Sequence, residues 1–220
     1  MTKALSNLME RKRREADARR KHITSVVKAL IKKGGAREIT IRKVAEEAGF
    51  STTVEYSLYK DKATLITQAM DEDLLELVRV MKQASDGVKD PLEKICQAGI
   101  AYVSYGMSNP DEYALVFMER RPVAPIEAAT VEHGNIEQDP YAFAHSLFVQ
   151  LAATGAVRND NESTHQMTQV FWQGLHGLTS LGLVMVEEEE WMPRIPPERQ
   201  LDNLLQVMMT GISIHFKALP

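Results

Sequence analysis

Apolar residues return every three or four positions along nearly the whole chain, and no stretch sustains the two-residue alternation of a half-buried strand. This periodicity predicts an all-α fold of about nine helices. Ile23, Val26, Val27 and Leu30 form a first stripe, which Gly34-Gly35 ends. Ile41, Val44, Ala45 and Ala48 form a short second one, with Thr40 placed as its N-cap. A third short helix is expected from Ser51 to about Tyr59. Asp61 is then placed to cap a long helix carrying Leu65, Met70, Leu74, Leu77 and Met81. Three later helices open with a capping residue and a proline: Asp90-Pro91, Asn109-Pro110 and Asp139-Pro140. Two long helices, over about 162–186 and 197–218, close the chain, with Pro193, Pro196 and Pro197 between them. The run Glu187 to Glu190 opposes the helix dipole at the end of the first of these, so it reads as a solvated loop.

The net charge of −4 conceals a division. Residues 1–66 hold 16 Lys and Arg against 8 Asp and Glu, a balance of +8, and the remaining 154 residues hold 10 against 22, a balance of −12. A basic first third on an acidic remainder is the footprint of a chain that meets a polyanion with one end only. We therefore expect a reading domain over residues 1–66 and a larger helical body over 67–220. The apolar runs are far shorter than a membrane span, and the charges between Met1 and Arg14 have no apolar stretch behind them, so no membrane contact and no secretory leader are expected. The single cysteine, Cys96, excludes an intrachain disulfide and an all-cysteine metal cluster. A cytoplasmic location is the corresponding expectation. Cys96 lies on an apolar stripe, as an inert buried thiol does.

The informative element is residues 40–59. A short amphipathic helix ends at Ala48-Gly49, where glycine can take the left-handed conformation of a tight turn, and Ser51 is placed to cap the next helix. Two helices so joined form a helix-turn-helix, whose second member can lie in a major groove. The stretch Thr40-Ile-Arg-Lys-Val-Ala-Glu-Glu-Ala-Gly-Phe-Ser, then Tyr56, then Tyr59-Lys60-Asp61-Lys62 and Leu65, resembles the signature of the tetracycline-repressor (TetR/AcrR) family. The resemblance covers about residues 20–70. Further on, Phe171-Trp172-Gln-Gly-Leu-His176-Gly177-Leu resembles the Trp…His-Gly signature of a C-terminal domain found in some members.

The resemblance implies a homodimer with one reading head per half-site of a palindromic double-stranded operator. It also implies a small-molecule pocket in the body, whose filling moves the heads apart and releases a repressor from DNA. An activator on the same fold, and an architectural or nucleoid protein with no effector, are the alternatives. Tyr56 and Lys62 match positions that contact phosphates in the family, and Thr40 sits at a helix N-terminus suited to the same task. Base reading falls to Arg42, Thr52, Thr53 and Ser57, near the starts of the two helices. Two residues depart from the pattern, since most relatives carry a small residue, usually glycine, at Thr53 and an apolar one at Glu55. An acid there repels phosphates, so Glu55 is expected to pair with Arg42 or Lys43 and to leave DNA alone. The arm Arg11-Lys12-Arg13-Arg14, with Arg19, Arg20 and Lys21, adds charge ahead of the first packed turn and can act as a DNA arm or as a solvated helix face.

In the body, Tyr102, Tyr105, Phe117, Met118, Phe143, Phe148, Phe171, Trp172 and His176 are the pocket candidates. Trp172 and His176 stand one turn apart and share a helix face. His165 and His176 lie eleven residues apart on one helix, about 16 Å, too far to chelate one ion, and no metal or cofactor is expected. No zinc-protease motif, phosphate-binding loop or nucleophile elbow occurs, so no catalytic activity is expected. The last helix is apolar over more than one stripe, from Leu201 to Phe216, and burial against both its own body and a second subunit satisfies that pattern. The two C-terminal helices are accordingly the expected dimer contact.

Overall fold

The computed structural model describes residues 3–51, 53, 59–120, 125, 129–185, 193 and 195–218, with side chains from Asn7 onward. Among the described residues the fold is all-α, as the periodicity predicts. Its helices are α1 (Lys3–Gly34), α2 (Ile41–Ala48), α3 (Lys62–Ser85), α4 (Pro91–Ser108), α5 (Pro110–Phe117), α6 (Pro140–Ala153), α7 (Asn161–Val184) and α8 (Pro197–His215). A 3-10 turn, Ala36–Glu38, links α1 to α2. Most of the expected helix after Ser51 lies outside the described residues, although Thr53 is helical. The contact between strand-like segments is one bridge, Val157 with Lys217.

The chain divides into two compact units, Met1–Glu72 with Ala114–Thr130, and Asp73–Tyr113 with Val131–Pro220. The first unit thus runs six residues past the functional division expected at residue 66 and takes in a later segment. In the first unit, α1 packs on α2 and on the 3-10 turn. Ile23, Val27 and Leu30 are buried with Ile41, Val44, Ala45 and Ala48, so the two short-range stripes face each other. Asp61 caps α3 by accepting from the Thr64 amide at 2.8 Å, and those hydrogen bonds hold its carboxyl below the usual range. Asp71, also in α3, accepts from the backbone and hydroxyl of Thr130, at 2.5 and 2.8 Å.

In the second unit α4, α6 and α7 pack on one another, and α8 packs on α7 and α4. Ile95, Leu147, Phe148, Leu151, Met167, Phe171 and Leu175 fill the space between them. Asp90, Asp139 and Asp160 each accept backbone amides at a helix start. Asn109 serves both neighbouring helices: its Nδ2 donates back to the Tyr105 carbonyl at 2.9 Å, closing α4, and its carbonyl accepts from the Tyr113 amide at 2.9 Å where α5 starts at Pro110. α8 ends at His215, and Arg158 ties that end down by bonding the carbonyls of His215 and Phe216 and covering the Phe216 ring.

Candidate nucleic-acid interface

Thr40 is in the extended conformation and its Oγ1 accepts from the Lys43 amide at 3.1 Å, which starts α2. The hydroxyl proton remains available to an outside acceptor, and the side chain is exposed. Arg42 and Lys43 are exposed on the first turn of α2, and Lys43 pairs with Glu38 at 3.9 Å. The α2 C-terminus is closed by Gly49 at φ 70, ψ 26, with the Gly49 amide bonded to the Glu46 carbonyl and the Phe50 amide to the Ala45 carbonyl. These are the two bonds of a Schellman stop, which reverses the chain within two residues. Ser51 and Thr53 follow, both exposed.

The turn is held from α1. His22 Nε2 bonds the Ala48 carbonyl at 3.2 Å, and its ring meets Phe50 edge-on at 5.9 Å. The Arg19 guanidinium sits over the Phe50 ring, 5.6 Å from its centroid. Phe50 is half-buried in this arrangement. His22 carried no signal in the sequence, where it looks like one more polar residue in a basic run. Lys62, the first residue of α3, donates to the Arg37 carbonyl at 2.9 Å, so one of its three protons is spent on the turn after α1. Thr52, Glu55, Tyr56 and Ser57 lie outside the described residues.

Comparison with known proteins begins with two negatives: no protein-family model matches the sequence, and no curated protein does. Solved structures do match. A TetR family transcription regulator from Marinobacter aquaeolei aligns with a TM-score of 0.65 at 14% identity, over 94% of this chain and 100% of that one. A TetR-family transcriptional regulator from Haemophilus influenzae aligns with a TM-score of 0.64 at 14% identity, over 89% and 97%. A transcriptional regulator of the TetR/AcrR family from Thermobifida fusca aligns with a TM-score of 0.58 at 17% identity, over 88% and 98%. The fold is that of the TetR-family regulators.

In the body of this TetR fold, four of the aromatic and histidine side chains form one polar chain, running from the exposed Trp172 through the buried Tyr102 and Tyr113 to the half-buried His176. Trp172 Nε1 donates to Tyr102 Oη at 3.1 Å, Tyr102 Oη meets Tyr113 Oη at 2.9 Å, and Tyr113 Oη meets His176 Nδ1 at 2.6 Å. His176 Nε2 in turn meets Ser180 Oγ at 3.3 Å. The chain can run one way throughout, with Tyr102 donating to Tyr113, Tyr113 to His176 Nδ1, and His176 to Ser180, which makes His176 a neutral Nε2–H tautomer. Burial pushes the His176 pKa down and both tyrosine pKa values up, in keeping with a neutral network. Tyr113 is the pivot of this network and was not among the expected residues; it falls on a short helix with little periodicity to mark it.

The other candidates disperse. Tyr105 bonds the Asp73 carbonyl at 3.4 Å, Phe148 is fully buried against Phe171, and Phe143 is buried in the core. Phe117 and Met118 belong to the first compact unit. His165 stacks flat on His145 with centroids 3.9 Å apart, its Nδ1 bonded to Tyr141 Oη at 2.9 Å, while His145 Nε2 meets Thr164 Oγ1 at 3.1 Å. Parallel rings aim their lone pairs side by side, and among the described residues no three metal-ligating side chains cluster. Among those residues, too, no helix is long and apolar enough to cross a membrane.

Proposed function

We propose that this chain is a DNA-binding transcription regulator, acting as a homodimer on a palindromic operator. The observation that carries the reading is the Thr40–Phe50 geometry. A capped two-turn helix and a Schellman stop deliver the chain to Ser51 and Thr53, both exposed, all on the basic third of the sequence. That is the arrangement a helix-turn-helix needs to offer one helix to a major groove while a preceding helix N-terminus meets the backbone. The TetR fold supports it, since the neighbours named above are transcription regulators.

In this reading Thr40 and Lys62 bind phosphates together with Tyr56, and Arg42, Thr52, Thr53 and Ser57 face base edges. The division at residue 66 then separates reading head from body in function. The resemblance to the TetR family supports repression relieved by a small molecule bound in the body, and an effector entering beside Tyr102 has to exchange hydrogen bonds with the Trp172–His176 chain.

Selection of bound duplexes from a random pool, at fixed salt, tests the reading. The expected product is an inverted repeat with half-sites about one DNA turn apart or a small multiple of it. Recovery of no preferred sequence, with sequence-independent binding, would replace it by an architectural role. A small molecule that raises Tm and weakens operator binding in the same preparation establishes the effector; one that raises Tm without touching DNA binding removes induction from the reading.

A further inference from the structure

We infer that the amino-terminal half of α1 is a rigid helical arm that binds the phosphate backbone of duplex DNA beside the helix-turn-helix. The inference rests on the DNA-binding reading above and adds a second, sequence-independent contact to it.

From Asn7 to His22 every side chain is exposed except the half-buried Ala16, and the first buried residue of α1 is Ile23. Those 16 residues make about 24 Å of exposed helix, which meets the α2 turn at its far end through Arg19 and His22. They hold seven Lys and Arg against three acids. Each acid is engaged along the helix: Arg11 with Glu15 at 3.4 Å, Arg13 with Asp17 at 4.0 Å and Arg14 with Glu10 at 3.8 Å. Among the described residues this leaves Lys12, Arg20 and Lys21 without an acidic partner, and Arg19 resting on Phe50.

The placement of these cations follows from helix geometry. At about 100° per residue, Lys12, Arg19 and Arg20 stand at i, i+7 and i+8 on one side, with the small Ala16 between them at i+4. Ile23 and Val27 continue the same side and are the residues buried toward α2. The cationic stripe is therefore the outward extension of the surface on which α2 and its turn are mounted, and Arg19 touches that turn through Phe50. Lys21 stands nine residues from Lys12, on the opposite side of the helix.

The character of the stripe selects its partner. It lacks the apolar face that a membrane-surface helix buries, since Leu8 and Met9 are its nearest large apolar residues. A helix about 10–12 Å across does not enter a minor groove about 6 Å wide, so the arm follows the backbone and reads no bases. Contacts of this kind release counterions, which makes the salt dependence of binding their direct readout.

The test measures binding of a random-sequence duplex of about 40 base pairs across about 50–200 mM salt, for the full chain and two variants. Lys12→Gln/Arg20→Gln removes the two stripe cations other than Arg19 with a residue that keeps the helix, verified by circular dichroism. Lys21→Gln removes one charge from the opposite side. The double variant is expected to lower the slope of log affinity against log salt by about 1.8 per protomer, about 0.9 per contact, and to bind about tenfold more weakly or worse, while Lys21→Gln follows the parent. A double variant with the parental slope, or a Lys21→Gln slope shifted as far per charge, overturns the arm and leaves the helix-turn-helix reading standing. A parent that binds no duplex overturns both. Loss of phosphatidylserine-vesicle binding in the double variant, with duplex binding unchanged, also overturns it and assigns the stripe to a membrane.

Discussion

Single residues decide how tightly the body closes. Gly106 in α4 faces α7 and α5 so closely that a Cβ there would lie 2.6 Å from Thr179 Cγ2 and 2.8 Å from Tyr113 Cδ2. Neither neighbour can retreat. Thr179 Oγ1 is bonded to the Leu175 carbonyl at 2.8 Å, which fixes its methyl, and the Tyr113 ring is pinned through its hydroxyl to Tyr102 and His176. On an isolated helix Gly106→Ala gains about 1 kcal/mol of helix propensity. Here the overpacking cost, about 1–3 kcal/mol, is expected to win, so the variant unfolds at lower urea than the parent. A raised midpoint would mean that α4 and α7 yield at this point. Spacing singles out Trp172 and His176 in the sequence, whereas Tyr113 and Gly106 are silent there. Their roles exist only when three helices meet, and no local pattern encodes that meeting.

At the scale of the element, most of the architecture was legible because its signals are local. Apolar stripes marked α1 to α4, aspartates before proline marked α4 and α6, and Ala48-Gly49 marked the stop of α2. One element departed from expectation for a physical reason. α1 starts some five turns before its first buried residue, because its Arg, Lys, Glu and Ala are good helix formers with pairs at i+4 to brace them. Asn109 turns back to α4, with its Nδ2 on the Tyr105 carbonyl. The stop at Gly49 permits a sharp expectation. Nothing lies within 4 Å of an added Cβ, so Gly49→Ala tests backbone conformation alone. At φ 70 the substitution is expected to cost about 1–2 kcal/mol, read as a shift in the chemical-denaturation midpoint. An unshifted midpoint would show that α2 ends by another route and that the Schellman turn is dispensable to the fold.

At the scale of the whole molecule, the surface of the last two helices is unfinished as a single chain. Val170, Leu181 and Val184 on α7 are exposed at helical spacing, as are Val207 and Ile214 on α8, the last two at 69% and 73%. Gly177 stands in the first stripe and Gly211 in the second, each with open space where a Cβ would be, so another helix can approach both backbones closely. α8 buries Leu205, Met208, Met209 and Ile212 in its own subunit and leaves a second apolar side exposed, which the proposed homodimer would cover. Val207→Glu/Ile214→Glu separates the two states of assembly. In a monomer both positions already face water, and the substitution is worth no more than about 0.5 kcal/mol each. In a dimer it brings four carboxylates toward the axis with nothing to pair them. The expected outcome is a halved mass by light scattering at unchanged helicity, together with loss of the concentration dependence of Tm. Binding to an inverted repeat should fall toward that of a single half-site, because the second head is no longer tethered to the first. A variant of parental mass would place the interface elsewhere and leave the apolar stripes of α7 and α8 in need of another partner.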